Sequence, residues 1–371
     1  MTSMINNGQQ PTPTEPEYDR RKEAEEFERT KLGVKGLVDS GITRIPRIFQ
    51  HPPETLFDYQ QAVENDHTHL IPVIDMSQTN HNELVDQIRD AATKFGFFQV
   101  VNHGVAPSLL RRMITAIKAV HEVSAEEKMG YFRRDIVNTG IGFGFYSNHD
   151  LFHSKAASWR DSISVRMGPT PVNPDDIPGV CRNEVMEWEK EVKQLGEQLV
   201  GLLSEGLGLS TNRLKGMTYL GRIAMVGQYY PYCPEPNKTV GLSSHTDLGM
   251  LTILIQDQVG GLQVKHDNKW INLKSVDGAL VVNIGDLFQI LSNDKYKSGE
   301  HRVYANPWRK PRVAIGTFFS PGSDEDLFGP LEELISPENP ILYKQLNFSE
   351  LLKKFLTRES NSKSMATQFR L

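Results

Sequence analysis

His245, Thr246 and Asp247 set an imidazole and a carboxylate two positions apart. On a strand, positions i and i+2 face the same side, so the two side chains would project together. An imidazole nitrogen and a carboxylate oxygen are donors that a borderline divalent metal accepts. One more histidine would complete a face of three ligands. Two lie downstream: His266, in a Lys-His-Asp-Asn turn, and His301, which opens the strand-like His301-Arg302-Val303-Tyr304. An isolated His-x-Asp is common by chance; one followed by a histidine on a rigid strand is far more specific. Farther on, Arg312 heads the apolar run Val313-Ala314-Ile315-Gly316-Thr317-Phe318-Phe319. A guanidinium buried in such a run needs an anion. That anion is either an Asp or Glu of the chain or a ligand carboxylate, which the planar arginine fork grips with two parallel hydrogen bonds. Beside a three-ligand metal site, the ligand carboxylate is the stronger reading.

Other candidates carry less. His149 and His153 are four apart, but Asn148 to Phe152 has no helical pattern that would bring them to one face. Gly140-Ile141-Gly142-Phe143-Gly144 lacks the spacing of a nucleotide loop and reads as a flexible loop. There is no Gly-x-Ser-x-Gly and no evident Cys–His pairing, so hydrolase chemistry has no support.

The elements that must position these groups follow from composition and periodicity. The chain has 371 residues, 38% of them hydrophobic, enough for a sizeable core. Its 41 Lys and Arg against 46 Asp and Glu, without a block of like charge, argue against a nucleic-acid binder. No apolar run approaches the ~18 residues that a membrane span needs. Two cysteines, Cys181 and Cys233, exclude a disulfide-stapled scaffold and suit a reducing cytoplasm. Residues 1–16 are polar and Pro-rich without a signal-peptide pattern, and read as a disordered tail. Helical spacing marks 18–32, 84–95, 107–122 and 180–208, with an edge strand at 71–75 and a buried one at 97–101. After Arg222, short β-rich segments at 222–230, 250–256, 261–265, 270–273, 279–284, 300–304 and 312–319 alternate with turns such as Gly260-Gly261 and Asp277-Gly278. The division expected is a helix-rich region over 17–215, a β-rich antiparallel sandwich or barrel over 216–325, and a helical segment over 326–371 packing on it.

Several longer motifs, in order, resemble the plant Fe(II)- and 2-oxoglutarate-dependent dioxygenases. They are Gly96-Phe97-Phe98-Gln99-Val100-Val101-Asn102-His103-Gly104-Val105, Gln228-Tyr229-Tyr230-Pro231, His245-Thr246-Asp247-Leu248-Gly249-Met250-Leu251-Thr252, Gly260-Gly261-Leu262-Gln263-Val264, Val282-Asn283-Ile284-Gly285-Asp286, His301-Arg302-Val303 and Pro311-Arg312. Lys31 to Gly41 is similar to the branch of 1-aminocyclopropane-1-carboxylate oxidase homologues, desacetoxyvindoline 4-hydroxylase and benzoxazinoid hydroxylases. The resemblance implies an α+β fold, a double-stranded β-helix (jelly roll) flanked by helices. It implies His245, Asp247 and His301 as Fe(II) ligands and Arg312, helped by Tyr230, as the grip on the far carboxylate of 2-oxoglutarate. Gln228 stands where many relatives have Asn. Ala314 stands where the family's Arg-x-Ser would supply a hydroxyl, a loss on the order of 1–3 kcal/mol for a hydrogen bond to a charged group.

By the same resemblance Phe318, Ser320, Val226 and Tyr146 line the substrate site, with Asn148, Trp159 and Arg166 as further candidates. The implied activity is hydroxylation, desaturation or demethylation of a specialised metabolite such as an alkaloid, a benzoxazinoid or a glucosinolate. It consumes O2 and yields succinate and CO2, with ascorbate as reductant, on a monomer whose partner is a small molecule. Two alternatives are an ascorbate-dependent 1-aminocyclopropane-1-carboxylate oxidase, which the missing serine fits poorly, and a degenerate jelly roll that binds iron or ligand without turnover.

Overall fold

The computed structural model describes residues 18–62, 71–134, 142–357 and 364–371. The tail expected over 1–16 lies outside them. The strands in chain order are β1 (Val73–Asp75), β2 (Phe97–Val101), β3 (Phe143–Tyr146), β4 (Asp161–Gly168), β5 (Arg222–Tyr230), β6 (Val240–His245), β7 (Leu251–Gln256), β8 (Leu262–His266), β9 (Lys269–Asn272), β10 (Leu280–Ile284), β11 (His301–Tyr304) and β12 (Arg312–Ser320). They form a large sheet of order β1-β2-β10-β7-β12-β5-β4-β3 and a small one of order β6-β11-β8-β9. Every pairing is antiparallel except β1 with β2. The sheets close on each other over Phe97, Tyr230, Leu262, Val264, Val281 and Val303.

The outer face of the large sheet is covered by helices. Their apolar stripes recur at helical spacing, so each buries one face. Helix α1 (His81–Lys94) starts where the Asn80 side chain accepts from the Glu83 amide, and buries Leu84, Val85, Ile88, Ala91 and Ala92. Helix α2 (Pro107–His121) begins on a proline, whose missing N–H costs nothing at a first turn. Helix α3 (Arg182–Gly206) crosses the sheet so closely that a Cβ on Gly196 would lie 2.6 Å from the Phe319 ring. An N-terminal arm packs Phe27, Ile48 and Phe49 against Trp159 and Ala305.

The region before residue 215 supplies the expected β1 and β2 and also β3 and β4, which periodicity did not mark; together they are half of the large sheet. One expectation is corrected here. The glycine-rich segment expected to be a loop enters β3 at Phe143 and pairs Gly144 with Ser164, while Gly140 and Ile141 lie outside the described residues.

Candidate active site

Strands β6 and β11 pair His301 directly with His245, and the two rings stand 4.2 Å apart. Each imidazole turns Nδ1 to a backbone carbonyl two residues back: His245 to Ser243 at 2.9 Å, His301 to Gly299 at 3.0 Å. A carbonyl only accepts, so Nδ1 carries the proton and Nε2 keeps its lone pair. Both Nε2 atoms face one oxygen: Asp247 Oδ1 lies 3.6 Å from that of His245 and 3.8 Å from that of His301. These gaps are too wide for hydrogen bonds. They suit donors that each sit about 2 Å from one shared cation. Among the described residues this is the one set of His, Cys, Asp and Glu able to hold a metal ion.

Asp247 uses its other oxygen to anchor itself. Oδ2 accepts from the Thr252 hydroxyl at 2.6 Å and the Asn283 amide at 2.8 Å. Burial alone would push this carboxyl up. Coulombic attraction to His301 and His245 whenever their rings are protonated, together with the two hydrogen bonds, outweighs it and holds the group below the usual carboxylate range. The alternation expected of His-x-Asp does not bring the pair together, because β6 ends at His245 and Asp247 lies in the turn beyond it. That turn is clamped instead. The Asp286 amide donates to the Asp247 carbonyl at 2.7 Å and the Gly285 amide to Met250 at 3.0 Å. A Cβ on Gly285 would stand 2.1 Å from the Gly249 carbonyl oxygen, so only glycine fits. His266 is elsewhere, at the end of β8, 4.4 Å from the Phe95 ring.

Arg312 opens β12 opposite Tyr230, and its guanidinium lies 4.8 Å from that ring. The residue is 2% exposed. Its one hydrogen bond runs from Nη2 to Gln256 Oε1 at 3.2 Å, while Nε, Nη1 and Gln256 Nε2 are buried with no partner among the described residues. No described carboxylate pairs with it, so the salt-bridge alternative falls away. Ala314 pairs with Gln228 on one side and Gln256 on the other, and so the amide of Gln256 offers a donor beside the place where a serine would. The Gln228 oxygen is occupied, accepting from the Ser162 hydroxyl at 2.7 Å.

Strand register puts the remaining candidates on one face. Ser320, Phe318, Ala314 and Arg312 alternate along β12; Val226, Gln228 and Tyr230 lie beside them on β5; Ser162 and Tyr146 continue the row through β4 and β3. Two of the further candidates belong elsewhere. Asn148 is buried with its amide bound to the backbone of Ser158, and Trp159 packs under the N-terminal arm with its indole N–H on the Tyr232 carbonyl. Both hold the chain rather than line a cavity. Arg166 turns its Nε to the Thr170 carbonyl at 2.8 Å.

Comparison with known proteins settles the family. Residues 223–321 match the model of the 2OG-Fe(II) oxygenase superfamily, and residues 71–187 match the one described as the non-haem dioxygenase in morphine synthesis N-terminal. Two Arabidopsis thaliana proteins, 1-aminocyclopropane-1-carboxylate oxidase homolog 1 and homolog 5, are each 44% identical over 347 residues; the first alignment covers 92% of this chain and 93% of the relative, the second 91% and 86%. The chain belongs to the 2OG-Fe(II) oxygenase superfamily.

Among solved structures, JOX2 in complex with 2OG, Fe and JA superposes on this oxygenase with a TM-score of 0.79 at 29% identity, covering 91% of this chain and 97% of that one. The rice dioxygenase for auxin oxidation shares the fold, with a TM-score of 0.67 at 24% identity, 81% of this chain and all of that one. The oxygenase is therefore an Fe(II)- and 2-oxoglutarate-dependent oxidoreductase with a jelly-roll core, and the donor set fits that pair. Two neutral imidazoles and one carboxylate suit ferrous iron, and sealed guanidinium and amide donors suit a dianion. Sequence reasoning missed Thr252, Asn283 and Gln256. The first two lie inside motifs that carried the resemblance, where a buried Thr and Asn among apolar neighbours was the available signal.

Proposed function

We propose that this oxygenase hydroxylates, desaturates or demethylates a plant specialised metabolite of the alkaloid, benzoxazinoid or glucosinolate kind, with release of succinate and CO2. In this reading His245, Asp247 and His301 hold the iron, and Arg312, Tyr230 and Gln256 hold the far carboxylate of 2-oxoglutarate, with Gln228 and Ala314 shaping the wall beside it. The observation that carries it is the set of buried, unpartnered donors on Arg312 and Gln256. An unpaired guanidinium costs several kcal/mol to bury, and a bound carboxylate offsets that cost.

Iron, 2-oxoglutarate and O2 together supply an oxidant able to break a substrate C–H bond. The chain contributes position and exclusion. Carbonyls of Ser243 and Gly299 fix both imidazoles in the ligating tautomer. Thr252 and Asn283 hold one Asp247 oxygen so that the other faces the imidazoles. Three protein donors on one side leave the opposite side for exogenous ligands. Phe318 and Tyr146 offer ring faces to a planar substrate, and Val226 and Ser320 set its edges. A neighbour that was solved with 2OG, Fe and JA together supports a site that takes an organic molecule beside the cosubstrate. We further place the enzyme in the cytoplasm as a monomer, with ascorbate as reductant.

The test uses purified protein, Fe(II), 2-oxoglutarate and fractionated plant metabolites. Succinate is expected only with the fraction that contains the substrate, in step with an oxidised product. His301→Ala should abolish it and His266→Ala should leave it near normal. Ethylene from 1-aminocyclopropane-1-carboxylate without 2-oxoglutarate would overturn the reading in favour of the oxidase alternative. Absence of succinate under every condition would leave a binding protein.

A further inference from the structure

Arg160 is a second largely buried arginine that the iron and cosubstrate roles do not use. It is 7% exposed, its Nε is sealed, and among the described residues its side chain has no hydrogen bond, ion pair or aromatic ring. The neighbouring acid does not neutralise it. Asp161 turns to the other face of the strand, where its two oxygens accept from the backbone amides of Val34 and Lys35 at 2.8 Å each. Arg160 directly precedes β4, so chain alternation puts it on the face of Ser162, whose hydroxyl reaches Gln228 and whose cross-strand partner is Tyr146. The backbone there is pinned, because the Ser147 hydroxyl donates to the Arg160 carbonyl at 3.0 Å.

We propose that the organic substrate of this oxygenase carries a carboxylate or comparable oxyanion, and that Arg160, with the Tyr146 phenol beside it, receives that group. This rests on the oxygenase reading above. Sealing the Nε of an arginine without a partner is unfavourable, and an anion that arrives with the substrate at the same head group offsets it. Arg160 and Arg312 are set apart by sheet order: β4, β5 and β12 are consecutive, with Tyr230 between the two arginines. One arginine serves the cosubstrate dianion, which leaves the other for a different ligand. Tyr146 supports the same ligand. Burial raises its pKa against the opposing pull of the Arg160 charge and the Ser162 hydroxyl, so the phenol keeps its proton and can donate to an oxyanion.

The experiment uses the full chain loaded with Co(II), which does not turn over, and 2-oxoglutarate. Probes are aryl-substituted alkanoic acids, each beside its primary amide, with binding read by tryptophan fluorescence and by thermal shift. At least one acid is expected to bind tenfold or more tightly than its amide. Arg160→Gln should erase that difference while 2-oxoglutarate affinity stays within twofold, and Arg160→Lys should keep part of it. Equal binding of every acid and amide by the unmodified protein would overturn the inference without recourse to any variant. So would an Arg160→Gln protein that loses 2-oxoglutarate affinity, since Arg160 would then belong to the cosubstrate site. Failure of 2-oxoglutarate itself to bind the unmodified protein would overturn the oxygenase reading, and this inference with it.

Discussion

Asp247 divides its work between two oxygens, one facing the imidazoles and one held by Thr252 and Asn283. Freeing the second oxygen lets the carboxylate rotate away from the ion. Asn283→Ala is therefore expected to weaken Fe(II) or Co(II) affinity by about 10- to 100-fold with the fold retained, as read by metal titration. At the cosubstrate end, Gln256→Leu should weaken 2-oxoglutarate binding by about tenfold through loss of one hydrogen bond to a charged group. Ala314→Ser is expected to tighten binding little in the native background and clearly in the Gln256→Leu background, a non-additivity that a double-mutant cycle measures. The His-x-Asp, His301 and Arg312 were legible in the sequence because each is chemically conspicuous. Gln256 was not: an amide at the end of an apolar run reads as the edge of a strand. Arg160 was hidden by its neighbour, because Arg160-Asp161 looks like a self-neutralising pair until the strand turns the two to opposite faces.

Among the elements, the helices packed on the large sheet were legible from 3.6-residue periodicity, and the strands after residue 222 from turn spacing. Strand β4 was missed although Ile163, Val165 and Met167 alternate with Ser162, Ser164 and Arg166. Its polar members face the inside of the jelly roll, so a strand lining a site looked like a loop. The N-terminal arm adds a pH-sensitive tie. His51 hydrogen-bonds the Ala157 carbonyl through Nε2, and burial, only partly opposed by that bond, brings its pKa down to about 4. The unfolded chain takes up a proton near pH 6.5 that the folded arm refuses. Stability should therefore fall as pH drops from about 6.5 to about 4 and level off below, by about 3 kcal/mol for this group. His51→Gln keeps a donor without the charge, and urea denaturation of the metal-free variant at pH 7 and 4.5 should show a correspondingly smaller loss.

For the molecule as a whole, iron and 2-oxoglutarate bind the folded state through groups that only the fold assembles. Ligand at 100 times its Kd should add about 2.7 kcal/mol. Co(II) and then 2-oxoglutarate should raise Tm in two steps. Arg312→Ala should lose the second step and keep the first, and EDTA should reverse both. The register that aligns the two histidines has one more consequence. Strand β6, which carries His245, is the rim of the small sheet and has β11 as its one neighbour there. An ion bridging His245 to His301 would act as a rivet through that seam, fastening the outermost ribbon to the next. Without the ion, that rim would rely on its backbone pairing with β11 and on ties such as the Trp159 amide to the Val240 carbonyl.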